Sequence, residues 1–217
     1  MDVSEAVQIR KSTRDFLPDP VDSGLIRDLL DRARRAPSGG NLQPWRIWVL
    51  NGDSMAAFRT HMAEAPSSQS MEYDIYPPKL WDPYRTNRYQ VGEQMYATIG
   101  VGRDDKPGRQ KQFARNMDFF GAPAALFCFV DRNLGPPQWS DLGMFLQTFM
   151  LLAEEAGYQT CPQEAWAAAH EQVRSFTNAP EELMLFCGMA IGKANTEHPI
   201  NSLVSERQPV EEFATFV

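Results

Sequence analysis

Along this chain, stretches in which apolar residues recur every three or four positions alternate with short runs in which they are continuous. Leu25, Ile26, Leu29, Leu30 and Ala33 recur at helical spacing, Asp22 or Ser23 can cap that helix, and Pro37 with Gly39-Gly40 stops it. A short helix over residues 3–10 precedes it. Arg46 to Leu50 is short, β-branched and aromatic and ends at Asn51-Gly52, which predicts a strand, followed by a helix over residues 55–64. Helices over 84–99 and 105–118 then lead to Ala124–Val130, a continuous apolar run of strand length, as a sheet covered on both faces requires. The longest apolar helix is predicted over 138–156, with Leu142, Phe145, Leu146, Phe149, Leu152 and Ala153 facing inward and Gly157 at its C-cap. A helix near 165–175, a buried strand near 183–190 and an irregular tail over 193–217 complete the pattern.

Residues 65–90 break the periodicity. Pro66, Ser67, Ser68, Pro77, Pro78 and Pro83 stand among Tyr73, Tyr76, Trp81, Tyr84 and Tyr89. A long loop of low aromatic content reads as disorder; this one reads as an ordered covering segment. The tail ends in Phe213-Ala214-Thr215-Phe216-Val217, whose two aromatics stay exposed unless they dock, and a partner subunit is one solution.

Composition narrows the class. A chain of 217 residues can form one domain burying roughly 70% of its surface. With 21 basic and 28 acidic residues the net charge is −7, so nucleic acid and anionic membranes find no whole-protein electrostatic support and any anion site must be local. Cys128, Cys161 and Cys187 are odd in number and lack CxxC spacing, which predicts reduced thiols and a cytoplasmic location. No run approaches the ~20 apolar residues of a membrane span. His61, His170 and His198 are scattered without a zinc-binding pattern, no G-x-S-x-G is present, and Gly100-Val101-Gly102 does not continue to G-x-G-x-x-G, so neither metal, hydrolase nor Rossmann chemistry is expected.

Two segments carry candidate chemistry. Ile9-Arg10-Lys11-Ser12-Thr13-Arg14-Asp15-Phe16 places three cations and two hydroxyls in five residues, and in an extended segment Arg10, Ser12 and Arg14 project to one side. Guanidinium forks and hydroxyls are what a phosphate monoester requires. On spacing alone the segment reads first as a solvated basic stretch at a helix C-terminus. Ala36-Pro37-Ser38-Gly39-Gly40-Asn41-Leu42-Gln43-Pro44-Trp45 offers backbone N–H groups with little side-chain bulk, or is an ordinary helix-to-strand connection. Trp45 and Trp48 read as core.

Taken together, the two segments resemble the R-x-S-x-R/K-x-F and P-S-x-x-N-x-Q-P-W motifs of the nitroreductase family of flavin mononucleotide (FMN) enzymes. Gly157-Tyr158-Gln159-Thr160-Cys161-Pro162 is similar to the family's G-L-x-T-x-P segment, and Gly188–Gly192, Pro199-Ile200-Asn201 and Glu206-Arg207-Gln208-Pro209 are similar to its closing strand and arginine-bearing tail. The resemblance spans nearly the whole chain, with residues 65–120 as the variable, substrate-covering part and 193–217 as a dimer-docking tail. It implies an α+β fold in which a central, mainly antiparallel sheet is flanked by helices, in an intertwined homodimer with FMN at the interface.

The resemblance also implies roles. Arg10 and Arg207 would hold the FMN phosphate with Lys11 and Ser12, and Arg14 would stabilise negative charge at flavin N1 and O2. Pro37, Ser38, Gly39 and Asn41 match the segment that reaches the flavin from the other subunit. Pro162, Gln163, Glu164 and Ala165 match the stretch along its reactive edge, where the backbone N–H of Glu164 donates to N5. Asn116 falls where relatives place a polar residue facing the pyrimidine, and Ser205 stands where a second basic residue often precedes the arginine. Tyr73, Tyr76, Trp81, Tyr84, Tyr89, Phe119 and Phe120 are candidates for a substrate wall. The implied reaction is a ping-pong transfer in which NADPH or NADH reduces flavin N5 and a nitroaromatic then accepts two electrons, giving nitroso and hydroxylamino products. A quinone, an activated alkene or a halophenol would suit the same slot, and a non-enzymatic FMN-binding protein is a further reading.

Overall fold

A computed structural model describes all 217 residues. The chain runs α1 (Val3–Ile9), α2 (Ser23–Ala33), β1 (Arg46–Asn51), α3 (Asp53–Glu64), α4 (Tyr84–Thr98), α5 (Lys106–Ala114), β2 (Ala124–Asp131), α6 (Pro136–Glu155), β3 (Gln159–Gln163), α7 (His170–Thr177), β4 (Leu183–Gly192) and α8 (Val210–Phe213). The four strands form one sheet in the order β1-β2-β4-β3, with every pair antiparallel.

The apolar run in β2 explains the layering. Strand geometry sends successive side chains to opposite faces, so Ala125, Phe127 and Phe129 join one core with Phe58, Phe119 and Trp166, while Leu126, Cys128 and Val130 join another with Leu29, Leu142 and Phe149. All seven residues from Ala124 to Val130 are buried. A continuous apolar strand therefore sits in an antiparallel sheet here, because helices cover both of its faces. A register shift at Cys128/Phe129 leaves Phe186 of β4 as the extra residue, and its carbonyl accepts the Tyr73 hydroxyl.

Both long helices follow their local signals. Asp22 caps α2, its carboxylate accepting from the Leu25 N–H at 2.8 Å. Helix α6 starts with Pro136 and Pro137, where no intrahelical N–H is missed, and ends in a Schellman turn. There Tyr158 N–H donates to the Ala153 carbonyl, Gly157 N–H donates to Glu154, and Gly157 takes φ 77°. Leu152, expected inward, is only half-buried.

One local expectation is corrected, and one strand appears where none was predicted. The helix expected over 105–118 ends at Ala114 and tightens into a 3-10 turn over Arg115–Gly121, in which Phe119 and Phe120 adopt φ of 48° and 57°. Turning the chain there drives both rings into the core: Phe119 lies 4.5 Å from Trp166 and 5.3 Å from Phe127, centroid to centroid. Gln159–Gln163, which has little strand character, pairs along β4 as an edge strand that tolerates Pro162.

Residues 66–83 are irregular but anchored. Glu72 N–H donates to the Ala167 carbonyl at 2.9 Å. The Glu72 carboxylate, 1% exposed, meets Arg132 at 2.6 Å, Arg174 at 3.6 Å and His170. A buried carboxylate is tolerated only with such partners, so this contact pins the covering segment to the body. Helix α4, by contrast, has no buried residue in the single chain. No helix is long and apolar enough to cross a membrane.

Candidate functional site

The basic segment after α1 is bolted to the outer edge of β3. Ser12 bridges Thr160 in parallel register, and Thr13 N–H donates to the Thr160 carbonyl at 3.0 Å. The C-terminal tail returns beside it, with Leu17 N–H on the Lys193 carbonyl and Asn195 N–H on Asp15. Asn201, 5% exposed, closes the clamp: its Oδ1 accepts from Arg14 N–H at 2.8 Å, and its Nδ2 donates to the carbonyls of Asp15 and Asn195 at 2.7 and 2.9 Å.

Between these two ends of the chain lies a cavity of about 320 Å³ bordered by Arg10, Lys11, Ser12, Arg14, Ser205 and Arg207, with Val91 of α4 on its wall. Arg10 and Arg207, from the two ends of the chain, thus line one cavity. Lys11 borders it as well, although strict alternation would send it elsewhere; its ammonium is engaged by the Asn201 carbonyl. Arg14 rests on the Ser12 carbonyl at 3.2 Å, and Arg207 on Ser205 and Glu206 of its own loop. None of the four cations has a carboxylate within ion-pair distance.

In a chain of net charge −7, four unpaired cations around one cavity make a local well for an anion. The guanidinium of Arg10, a half-buried residue, makes no hydrogen bond and is free to take a ligand oxygen. A phosphate monoester, with about −1.5 to −2 charges and three acceptor oxygens, matches this donor set. Behind the site Glu154 is 4% exposed; Gln159 bonds one carboxylate oxygen at 3.3 Å and the other has no partner. Burial pushes the Glu154 carboxyl up, against the pull of Gln159, Arg10 and Lys11.

The other expected site residues lie elsewhere in the single chain. Pro162, Gln163, Glu164 and Ala165 continue β3 from the cavity edge into a 3-10 turn over Glu164–Ala169. The Gln163 side chain is buried and donates to the carbonyl and Oδ1 of Asn116 at 2.9 and 3.1 Å, so these two residues meet although neither borders the cavity. Burial raises the Glu164 carboxyl. Pro37, Ser38, Gly39 and Asn41 sit against α6, where Gly39 N–H lies 3.3 Å from both oxygens of the buried Asp141. None of them borders this chain's own cavity.

The aromatic wall divides. Phe119 and Phe120, 0% and 3% exposed, are core residues and not part of a substrate surface in this structure. Their apolar rings gain more from packing on Phe58, Phe127 and Trp166 than from facing water. Tyr73 packs between Trp139 and Phe186, and burial, with Cys187 and Glu164 next, raises its hydroxyl pKa. Tyr76, Trp81, Tyr84 and Tyr89 are exposed, Trp81 edge-on to Tyr84 at 5.6 Å. The cysteines are free and buried, and desolvation pushes the Cys161 thiol up to about 11. Sequence reasoning missed the role of Asn201 and Thr160; the only signal was that both fall inside motifs already noted.

Comparison with known proteins gives a consistent neighbourhood. The profile described as the Nitroreductase family matches residues 7–193. The chain is 35% identical to the 4-nitrobenzoate reductase of Pseudomonas putida, covering 100% of this chain and 96% of that protein. It is 34% identical to the chloronitrobenzene nitroreductase of Comamonas testosteroni, covering 99% and 96%. Among solved structures, the FMN and NADPH-dependent nitroreductase NfnB from Sphigopyxis sp. strain HMH superposes with a TM-score of 0.95 at 42% identity, covering 100% of this chain and 99% of that one.

Proposed function

The chain belongs to the nitroreductase family, and we propose that it is an FMN-dependent NAD(P)H oxidoreductase reducing nitroaromatic compounds by two-electron steps to nitroso and hydroxylamino products. The observation that carries this reading is the cavity at which Arg10, Lys11, Ser12 and Arg14 from one end of the chain meet Arg207 from the other, with no carboxylate pairing any of the cations. Bound there, FMN would supply two-electron chemistry between a nicotinamide donor and a nitro group, the two using one slot in turn.

The chain's own residues divide the remaining work. Arg10, Arg207 and Ser12 hold the phosphate, for which their forks and hydroxyl are matched donors. Asn201 sets the Arg14 backbone, so Arg14 can offer a fixed positive charge to the pyrimidine end of the ring. The Glu164 backbone N–H is assigned to donate at the reactive edge, and Gln163, locked on Asn116, holds that turn in place. Solvent supplies the protons. Fixing donor and acceptor on a flat slot converts an encounter into an oriented reaction.

The proposal includes a homodimer. Phe213 and Phe216 are 69% and 88% exposed, and none of Pro37, Ser38, Gly39 and Asn41 borders the chain's own cavity. A second copy accounts for both, covering the tail and bringing Pro37, Ser38, Gly39 and Asn41 to a flavin. The test is the anaerobic spectrum of the purified protein: a flavin band that bleaches with NADPH and returns with a nitroaromatic, together with hydroxylamine product. A colourless protein that binds no added FMN overturns the reading.

A further inference from the structure

A second cleft, of about 790 Å³, lies between residues 76–80 and the face of α4 opposite the phosphate cavity. Val91 of α4 borders the cavity, whereas Arg88, Tyr89 and Gly92 border the cleft. Four cations line it, Lys79, Arg85, Arg88 and Arg109, against one acid, Glu93. That acid is spent. Arg109 holds it bidentately at 2.7 and 2.8 Å and is itself stacked 4.4 Å over Tyr96. Arg85 is paired to Asp82 at 2.6 Å.

Arg88 and Lys79 are not paired. Neither side chain has a carboxylate or a hydrogen-bond partner, and the Arg88 guanidinium lies 4.3 Å over the Tyr76 ring. A guanidinium stacked on one aromatic keeps its N–H edge and its second face available, a combination that takes a carboxylate or phosphate and a flat ring together. A cleft of this volume falls within the range of small-molecule sites, about 300–1,000 Å³. The surplus positive charge stands out in a chain of net −7.

We infer that this cleft binds a planar aromatic anion through Arg88 and Lys79, separately from the phosphate cavity. Its choice of probes rests on the reductase reading, under which such an anion comes either from an acidic nitroaromatic acceptor or from the adenosine 2′-phosphate end of the donor. Both share one chemistry, a ring bearing a negative charge.

The experiment is calorimetric titration of the FMN-loaded protein with 4-nitrobenzoate against nitrobenzene, and with adenosine 2′,5′-bisphosphate against adenosine. It is run on the unaltered protein, Arg88→Ala, Arg88→Lys and Lys79→Ala. The expected result is that at least one anion binds more tightly than its neutral counterpart, that Arg88→Ala weakens it by roughly tenfold or more, the scale of one charge-assisted hydrogen bond, and that Arg88→Lys restores part of the loss. Whichever anion responds identifies the source. The inference is overturned if neutral and anionic probes bind alike, if Arg88→Ala leaves the anion affinity unchanged, or if neither anion binds. Bleaching by NADPH is recorded on each sample, so a failure of the reductase reading shows there and not in the titration.

Discussion

Replacing Arg10 by alanine removes the one cation of the proposed phosphate cavity whose side chain makes no hydrogen bond within the chain. Nothing in the fold loses a partner, so the effect falls on the ligand. One charge-assisted hydrogen bond contributes about 1.5–3 kcal/mol, which is about 10- to 150-fold in affinity. Arg10 is half-buried and Lys11, Arg14 and Arg207 remain, so solvent screening and the surviving cations place the loss toward the lower end of that range. The assay is titration of apoprotein by quenching of flavin fluorescence, with FMN and riboflavin run in parallel. Riboflavin lacks the phosphate, so its affinity should hold while that of FMN falls, and the gap should narrow as salt shortens the Debye length from about 8 Å at physiological ionic strength. Equal losses for both flavins, or no loss for either, would refute the assignment of this cavity to the phosphate.

Three further outcomes test the structure elsewhere. Phe119→Ala should lower stability by about 3–5 kcal/mol in denaturant unfolding, the cost of emptying a fully buried aromatic site, and a change confined to the KM for nitroaromatics would instead return Phe119 to the substrate wall. Glu154→Gln should stabilise the protein at neutral pH. Burial raises the folded-state pKa of Glu154, so the native protein carries a penalty that is absent below the ordinary carboxylate range and grows as pH rises through it. The difference in Tm between variant and parent should therefore open with rising pH, and a constant difference would contradict the sign. Phe213→Ser with Phe216→Ser, two exposed tail positions, should shift the species seen by light scattering toward monomer; an unaltered dimer would place the interface elsewhere.

Much of the layering was legible along the chain because its causes are local. Asp22 and the four-residue rhythm after it define α2, Gly157 ends α6, and the unbroken run Ala124–Val130 marks the strand covered on both faces. The reverse cases share a reason. Arg115–Gly121 looks like the end of a helix until Phe58 and Trp166 take up the ring of Phe119 and the core takes up Phe120, and that packing is set by residues distant in sequence. Gln159–Gln163 becomes a strand only because β4 presents an unpaired edge.

The site divides in the same way. By itself the sequence determined which residue types were on offer: a hydroxyl-bearing run of cations after α1, a second arginine in the tail, and too little basic charge for a nucleic-acid partner. Only the tertiary structure decided that these cations share one cavity while Pro37–Asn41 lie against α6. Helix periodicity and capping act within about four residues, and strand alternation within two, so they are readable in one dimension. Convergence of Arg10 and Arg207 depends on Thr160 and Asn201 holding both ends of the chain, and such contacts exist only after the sheet has formed.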